Sequence, residues 1–264
     1  MTNNMGPRIF MKSKIFSGAD KALPAMLLLT IMLAGATPDA MSEGTHFDYA
    51  HQAAWKEVHG DRQSPVALDS NNAMPDFDDD EDDSIKIAPT IRDAIVVDNS
   101  HTIQVNVLPG NFASIRGRRF QLQQFHFHTP AEHVIDGKRY PLELHLVYRA
   151  KNGRLAVIGV PFQKGAANPA FGAIMRRVVR AGQAEPMPEF DISPLLPADL
   201  SYFHYLGSLT TPPLTENAEW HVLSQPVTLS SAQLEDFHRY YSGNSRDLQP
   251  LNGREVLYHR EVKR

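Results

Sequence analysis

The stretch from Gln121 to Arg149, QLQQFHFHTPAEHVIDGKRYPLELHLVYR, constrains this chain more than any other. Successive side chains on a β-strand point to opposite faces. An extended Phe120 to His128 therefore puts His126 and His128 on one face while Phe125 and Phe127 pack into the other. Glu143-Leu144-His145-Leu146-Val147 alternates in the same way, with Glu143 and His145 on one face, and the Asp136-Gly137 turn signal lies between the two segments. Three imidazoles on adjacent strands can share a metal ion and leave a fourth tetrahedral position open, as catalytic zinc sites do and closed structural sites do not. Gln124 and Glu143 each stand two residues before a proposed ligand, on the same face, where they can accept a ring N–H and fix the tautomer.

Composition narrows the donor set. The 264 residues include no cysteine, which excludes thiolate catalysis, cysteine-based zinc sites and disulfides, so a metal must be held by carboxylates and by some of the 12 histidines. A net charge of -4 supplies no basic surface for nucleic acid. Arg8, Lys12, Lys14 and Lys21 precede or flank a short apolar run, Ala25 to Leu33, and Ala34-Gly35-Ala36 forms an A-x-A cleavage site. Residues 1–36 are thus expected to be a signal peptide and 37–264 the mature domain. The mature protein is expected to be periplasmic or secreted, without a stable membrane anchor once the signal is cleaved.

No linker or repeat divides the mature chain, so a single domain is expected. Strands are predicted at Ile95 to Val97, Thr102 to Leu108, Phe120 to His128, Leu142 to Tyr148, Leu155 to Phe162 and Trp220 to Leu223. Two helices are predicted. One is capped by Asn168-Pro169 and runs through Phe171 to Arg180; the other follows a Ser230/Gln233 capping box. The fold class is α+β, predominantly β: one large, mostly antiparallel twisted central sheet with a few peripheral helices and proline-rich loops, such as Pro186 to Pro197, wrapped around it. The acidic run from Asp76 to Asp83 repels itself and is expected to stay solvated.

A further motif, Gly207-Ser208-Leu209-Thr210-Thr211-Pro212-Pro213-Leu214, is a stiff loop suited to holding a hydroxyl at a fixed point. With Gln63-Ser64-Pro65, Asn99-Ser100-His101, QFHFHTPAEH, ELHLV, LAVIGV and Gln249-Pro250-Leu251 in this order, the sequence closely resembles the exported bacterial branch of the α-class carbonic anhydrases. The resemblance covers nearly all of the mature chain. It implies a zinc enzyme that hydrates carbon dioxide reversibly to bicarbonate and a proton by zinc-hydroxide attack, with Zn2+ held by His126, His128 and His145.

By the same resemblance, Thr210 and Glu132 orient the hydroxide and His101 shuttles the proton. Val147, Leu155, Val157, Leu209 and Trp220 form the apolar wall for carbon dioxide, with Thr211 a neighbouring polar contact. Gln124 and Glu143 support the ligands, Tyr49 and Gln104 belong to the solvent-side network, and His133 is structural. Sulfonamides and anions would inhibit. A homodimer is permitted without being required.

The chain departs from the family at two half-cystines, one replaced by Leu214, so packing alone is expected to hold the Thr210 loop. Ala218 stands where mammalian enzymes have valine, which widens the pocket. Two rival readings remain at this level. One is a cupin-like metal-binding barrel, in which Glu132 itself ligates the metal; the other is a non-catalytic binding module on the same scaffold.

Overall fold

Burial in the histidine segment follows the alternation: along Arg118–His128 the even-numbered phenylalanine Phe120 and the odd-numbered Phe125 and Phe127 sit in the core, on either side of a register irregularity near Gln123. The computed structural model describes residues 47–55, 60–76, 83–178 and 184–261. The expected leader, residues 1–36, lies outside them.

Among the described residues, strands assemble into a 13-stranded sheet and a small three-stranded one. The main path of the large sheet comprises β1 (Met74–Pro75), β2 (Thr90–Asp98), β3 (Ile103–Val107), β4 (Arg118–His128), β5 (Leu142–Arg149), β6 (Leu155–Lys164), β7 (Ala184–Asp191), β8 (Tyr202–Gly207), β9 (Ala218–Leu223) and β10 (Leu257–His259). In space they run β7-β2-β3-β4-β5-β6-β9-β8-β10-β1. Pairing along this path is antiparallel except where β6 meets β9 and β10 meets β1. The mostly antiparallel sheet expected from the sequence is therefore present, with β4, β5 and β6 at its centre.

The two faces of this centre differ sharply. One carries Phe125, Phe127, Leu144, Leu146, Ile158 and Val160, all buried in the larger hydrophobic cluster. Helices α1 (Pro169–Met175) and α2 (Ser231–His238) close over it. Phe127 meets the α1 residue Phe171 edge-on at 5.2 Å and the α2 residue Phe237 at 6.1 Å. Each such side chain contributes about 2 kcal/mol on burial, so this face stabilises the sheet without help from a metal. The helix caps are those read from the sequence: Asn168 Oδ1 accepts from Phe171 N, and Ser230 and Gln233 form a capping box.

Three expectations need correction. The first helix stops at Met175 rather than Arg180: Arg177 N and Val178 N donate to Ile174 O and Met175 O, tightening the last turn out of α geometry. The Pro186 to Pro197 segment is not a wrapping loop throughout, because Pro186 and Pro188 lie on β7, paired with Ile95 and Asp93 of β2. An edge strand tolerates prolines, since one side of its backbone has no ladder to complete.

The acidic run is not solvated at its ends. The side chains of Asp76 and Asp83 are each only 5% exposed, because both pair with Arg116, Asp83 at 2.8 Å. One buried guanidinium offsets the repulsion that excludes an unpaired cluster from the interior. Residues 77–82 lie outside the described residues.

Candidate active site

Register brings the three histidines to one face. His145 of β5 stands opposite His126 of β4, and Glu143 opposite His128. Across β5 the same face continues with Gly159 opposite His145 and Val157 opposite Val147, then with Trp220 opposite Val157 on β9. One nitrogen from each of His126, His128 and His145 lies within 4.8 Å of the others.

Hydrogen-bond chemistry decides which nitrogen. His126 Nδ1 is 2.8 Å from Gln124 Oε1, His128 Nδ1 is 2.6 Å from the Asn244 carbonyl, and His145 Nε2 is 2.9 Å from Glu143 Oε1. A carbonyl or carboxylate oxygen only accepts, so each of these nitrogens carries the proton, and the lone pair sits on His126 Nε2, His128 Nε2 and His145 Nδ1. His128 Nε2 is buried and has no hydrogen-bond partner, a costly condition for an apolar interior and the ordinary one for a metal ligand. Burial also favours the neutral rings. It holds His126 well below the usual histidine range and His128 down to about 4, and it lowers His145 despite the nearby carboxylates. Three neutral imidazoles with free lone pairs fit a zinc ion and leave a fourth position open.

Glu143 anchors this arrangement. Besides His145 it accepts from His133 at 2.7 Å and from the His133 backbone at 2.9 Å. Burial would raise its carboxyl, but the neighbouring His133 and His145 and their hydrogen bonds hold it well below the usual range. Gly159 makes room for it: a Cβ there would meet Glu143 Oε1 at 2.9 Å.

Glu132 is fully buried 3.5 Å from His128 Nδ1 and 3.9 Å from His145 Nδ1, and Arg246 N donates to its Oε1 at 2.7 Å. Burial raises its pKa, offset in part by His145, the Arg246 N–H and the Thr210 hydroxyl. The loop carrying Thr210 begins at Gly207, where a Cβ would fall 2.2 Å from Ser64 Oγ, and Trp220 Nε1 donates to Ser208 O at 2.9 Å. Thr210 is 5% exposed. Val147, Val157, Ala218 and Trp220 pack in one apolar cluster with Leu155 at its margin, on the histidine face.

A family model of the eukaryotic-type carbonic anhydrases matches residues 48–260. The chain belongs to this carbonic anhydrase family. A carbonic anhydrase of Pectobacterium carotovorum is 37% identical over 247 residues, 88% of this chain and 98% of that relative. Among solved structures, the α-carbonic anhydrase of Thermovibrio ammonificans in complex with the inhibitor sulfanilamide matches with a TM-score of 0.69 and 39% identity, covering 75% of this chain and 87% of that one. A carbonic anhydrase of Chlamydomonas reinhardtii in complex with acetazolamide matches with a TM-score of 0.73 and 34% identity, covering 81% and 98%. Membership of a carbonic anhydrase family removes the cupin-like reading, and the family is zinc-dependent.

The carbonic anhydrase loop is not held by packing alone. Leu214, at the position of the missing half-cystine, is 1% exposed with a φ of 59°, and its carbonyl accepts from Gln63 Nε2 at 3.2 Å. Polar contacts thus do part of what a covalent link would do. His101 precedes β3, and its ring stacks on Phe47 with centroids 3.9 Å apart. Gln104 is opposite His126 across β3 and β4, and its Nε2 donates to Asn106. Tyr49 is close enough to Glu132 and Tyr241 for both to raise its pKa, after burial, well above the usual tyrosine range. His133 is structural as expected, bridging Glu143 and the Tyr205 hydroxyl at 2.7 Å each.

Asn244, Arg246 and Phe47 escaped the sequence reading. Asn244 lies 116 residues from the histidine it orients, and no local pattern reports such a contact.

Proposed function

We propose that the protein is an exported zinc carbonic anhydrase in which His126, His128 and His145 hold the metal and Glu132, Thr210 and His101 manage protons around it. The observation that carries the reading is the set of three histidines, two buried and His126 partly buried, each with one nitrogen tied to an acceptor and the other free to ligate. A zinc ion held there supplies Lewis-acid activation of a water molecule near neutral pH.

The chain's own groups do the rest. Thr210 donates its hydroxyl proton to Glu132, so that an oxygen lone pair faces the open position and orients the attacking group. Val147, Leu155, Val157, Leu209 and Trp220 offer carbon dioxide an apolar wall, and Thr211 borders it. His101 accepts the released proton and passes it to solvent. An imidazole can both take up and give back a proton near neutral pH, which suits that exchange in both directions.

Removal of residues 1–36 would deliver the domain to the periplasm or medium. Among the described residues no helix is long and apolar enough to cross a membrane. The deciding experiment measures zinc content and carbon dioxide hydration of the purified mature protein, with and without a sulfonamide. One zinc per chain and sulfonamide-sensitive hydration are expected. A folded protein that takes up zinc yet does not hydrate carbon dioxide would leave the non-catalytic binding module as the reading.

A further inference from the structure

Gln63 is 4% exposed, and its amide is held from opposite sides. Its Oε1 accepts from Arg246 NH1 at 2.8 Å and lies 3.3 Å from Ser208 Oγ. Its Nε2 donates to Leu214 O at 3.2 Å and to Glu216 Oε1 at 2.8 Å. A glutamine amide has two donors and two acceptor lone pairs; both donors are used, and Arg246 takes one lone pair. Arginine cannot accept and a carbonyl cannot donate, so Arg246 and Leu214 together dictate which way the amide points.

These partners sit at both ends of one loop. Ser208 opens the segment that carries Thr210, and Leu214 and Glu216 close it. Ser64, the next residue, grips the same entrance: Ser64 N donates to Ser208 Oγ at 3.0 Å and Ser208 N to Ser64 Oγ at 3.1 Å. Within the loop, Leu209 N donates to Thr215 O at 3.1 Å and Leu214 N to Thr211 O at 3.0 Å. Arg246 connects this to the other half of the relay, because its backbone N–H holds Glu132 Oε1 while its guanidinium holds Gln63.

We infer that Gln63, oriented by Arg246, is a positioning residue for the carbonic anhydrase reaction: it holds the closing end of the Thr210 loop at Leu214 and Glu216 while its neighbour Ser64 holds the opening end at Ser208, and together they fix that loop relative to Glu132. The inference rests on the Thr210 and Glu132 reading above and adds what holds the two in register. An amide placed this way acts without touching substrate. Loss of the clamp lets the Thr210 hydroxyl wander by a fraction of an ångström, and displacement of about 1 Å at a reacting group costs up to about a hundredfold in rate.

The test compares Gln63→Leu and Gln63→Glu with the parent protein in metal-free and zinc-loaded forms. Gln63→Leu is expected to keep zinc stoichiometry, to lower kcat about tenfold with little change in KM, and to speed hydrogen exchange at the Leu209 and Leu214 amides while β5 amides stay protected. Gln63→Glu retains an acceptor for Arg246 but turns an oxygen towards Leu214 O and Glu216. It should loosen the Leu214 amide more than the Leu209 amide.

In a Thr210→Ala background Gln63→Leu should cost less than about twofold further, because the group it positions is gone. Unchanged exchange at both loop amides in either folded variant would overturn the clamp, as would a rate loss in the Thr210→Ala background equal to that in the parent. Where Gln63→Leu does not fold, Gln63→Glu carries the same readouts. A normal rate in Thr210→Ala alone would refute the relay reading instead, while amide exchange still decides the clamp.

Discussion

The imidazole of His101 lies parallel to the ring of Phe47, with centroids 3.9 Å apart and planes within 10° of each other. Phe47 in turn meets Tyr49 and Trp55 edge-on at 5.5 and 5.4 Å. The ring of the proposed proton shuttle thus rests against an aromatic cluster of Phe47, Tyr49 and Trp55. His101→Ala should leave zinc binding intact and lower the maximal hydration rate in dilute buffer about tenfold or more, with concentrated imidazole restoring much of the loss. Phe47→Ala should give a smaller loss, because the ring stays but its resting orientation does not. Stopped-flow rates at low buffer concentration check both, and an unchanged rate in His101→Ala would assign proton export to another group.

His145→Ala should lose zinc and activity while the domain still folds. The core face holds Phe125, Phe127, Leu144 and Leu146, all 0% exposed, and keeps the sheet together without the metal. Zinc analysis beside circular dichroism checks this. Full zinc stoichiometry in the variant would remove His145 from the ligand set.

Thr210→Ala should retain zinc and hydrate carbon dioxide roughly a hundredfold more slowly, the scale of losing one oriented hydrogen bond in a water-poor site. The rate at saturating substrate is the readout. No change would make the Gly207 to Leu214 loop structural only.

On the sheet face away from the ligands, His221 is fully buried with neither ring nitrogen hydrogen-bonded, stacked on His204 at 4.8 Å. Burial, with His204, Arg116 and Arg118 nearby and only the Glu219 backbone opposing them weakly, holds its pKa well below the usual histidine range. The unfolded chain therefore binds this proton before the folded one does. The contribution of His221 to stability is complete above about pH 6.5, the unfolded value, and is lost as pH falls below it. His221→Leu should be at least as stable as the parent at pH 8 and should flatten the loss of stability between pH 6.5 and 5. Urea unfolding of both proteins at matched metal content across that range is the check, and parallel profiles would show that His221 is not the group responsible.

The shared histidine face was readable because strand alternation is a local property of the backbone. Once Gln124, His126 and His128 occupy even positions on one strand and Glu143 and His145 odd positions on its neighbour, their common face follows from a period of two. The capping residues Asn168 and Ser230 were readable for the same reason, since a cap reaches only three residues along the chain. The strand at Tyr202–Gly207 went unnoticed although its aromatic run carried the signal.

What the tertiary structure alone decided is how distant segments return to the site. Asn244 orients His128 from 116 residues away, Gln63 reaches Leu214 across 151, and Arg116 draws in both ends of the acidic run. Periodicity says which face a side chain takes, but not which loop will cross that face. Loop paths are set by the packing of the whole sheet and by the need to satisfy every buried polar group, and neither condition is local.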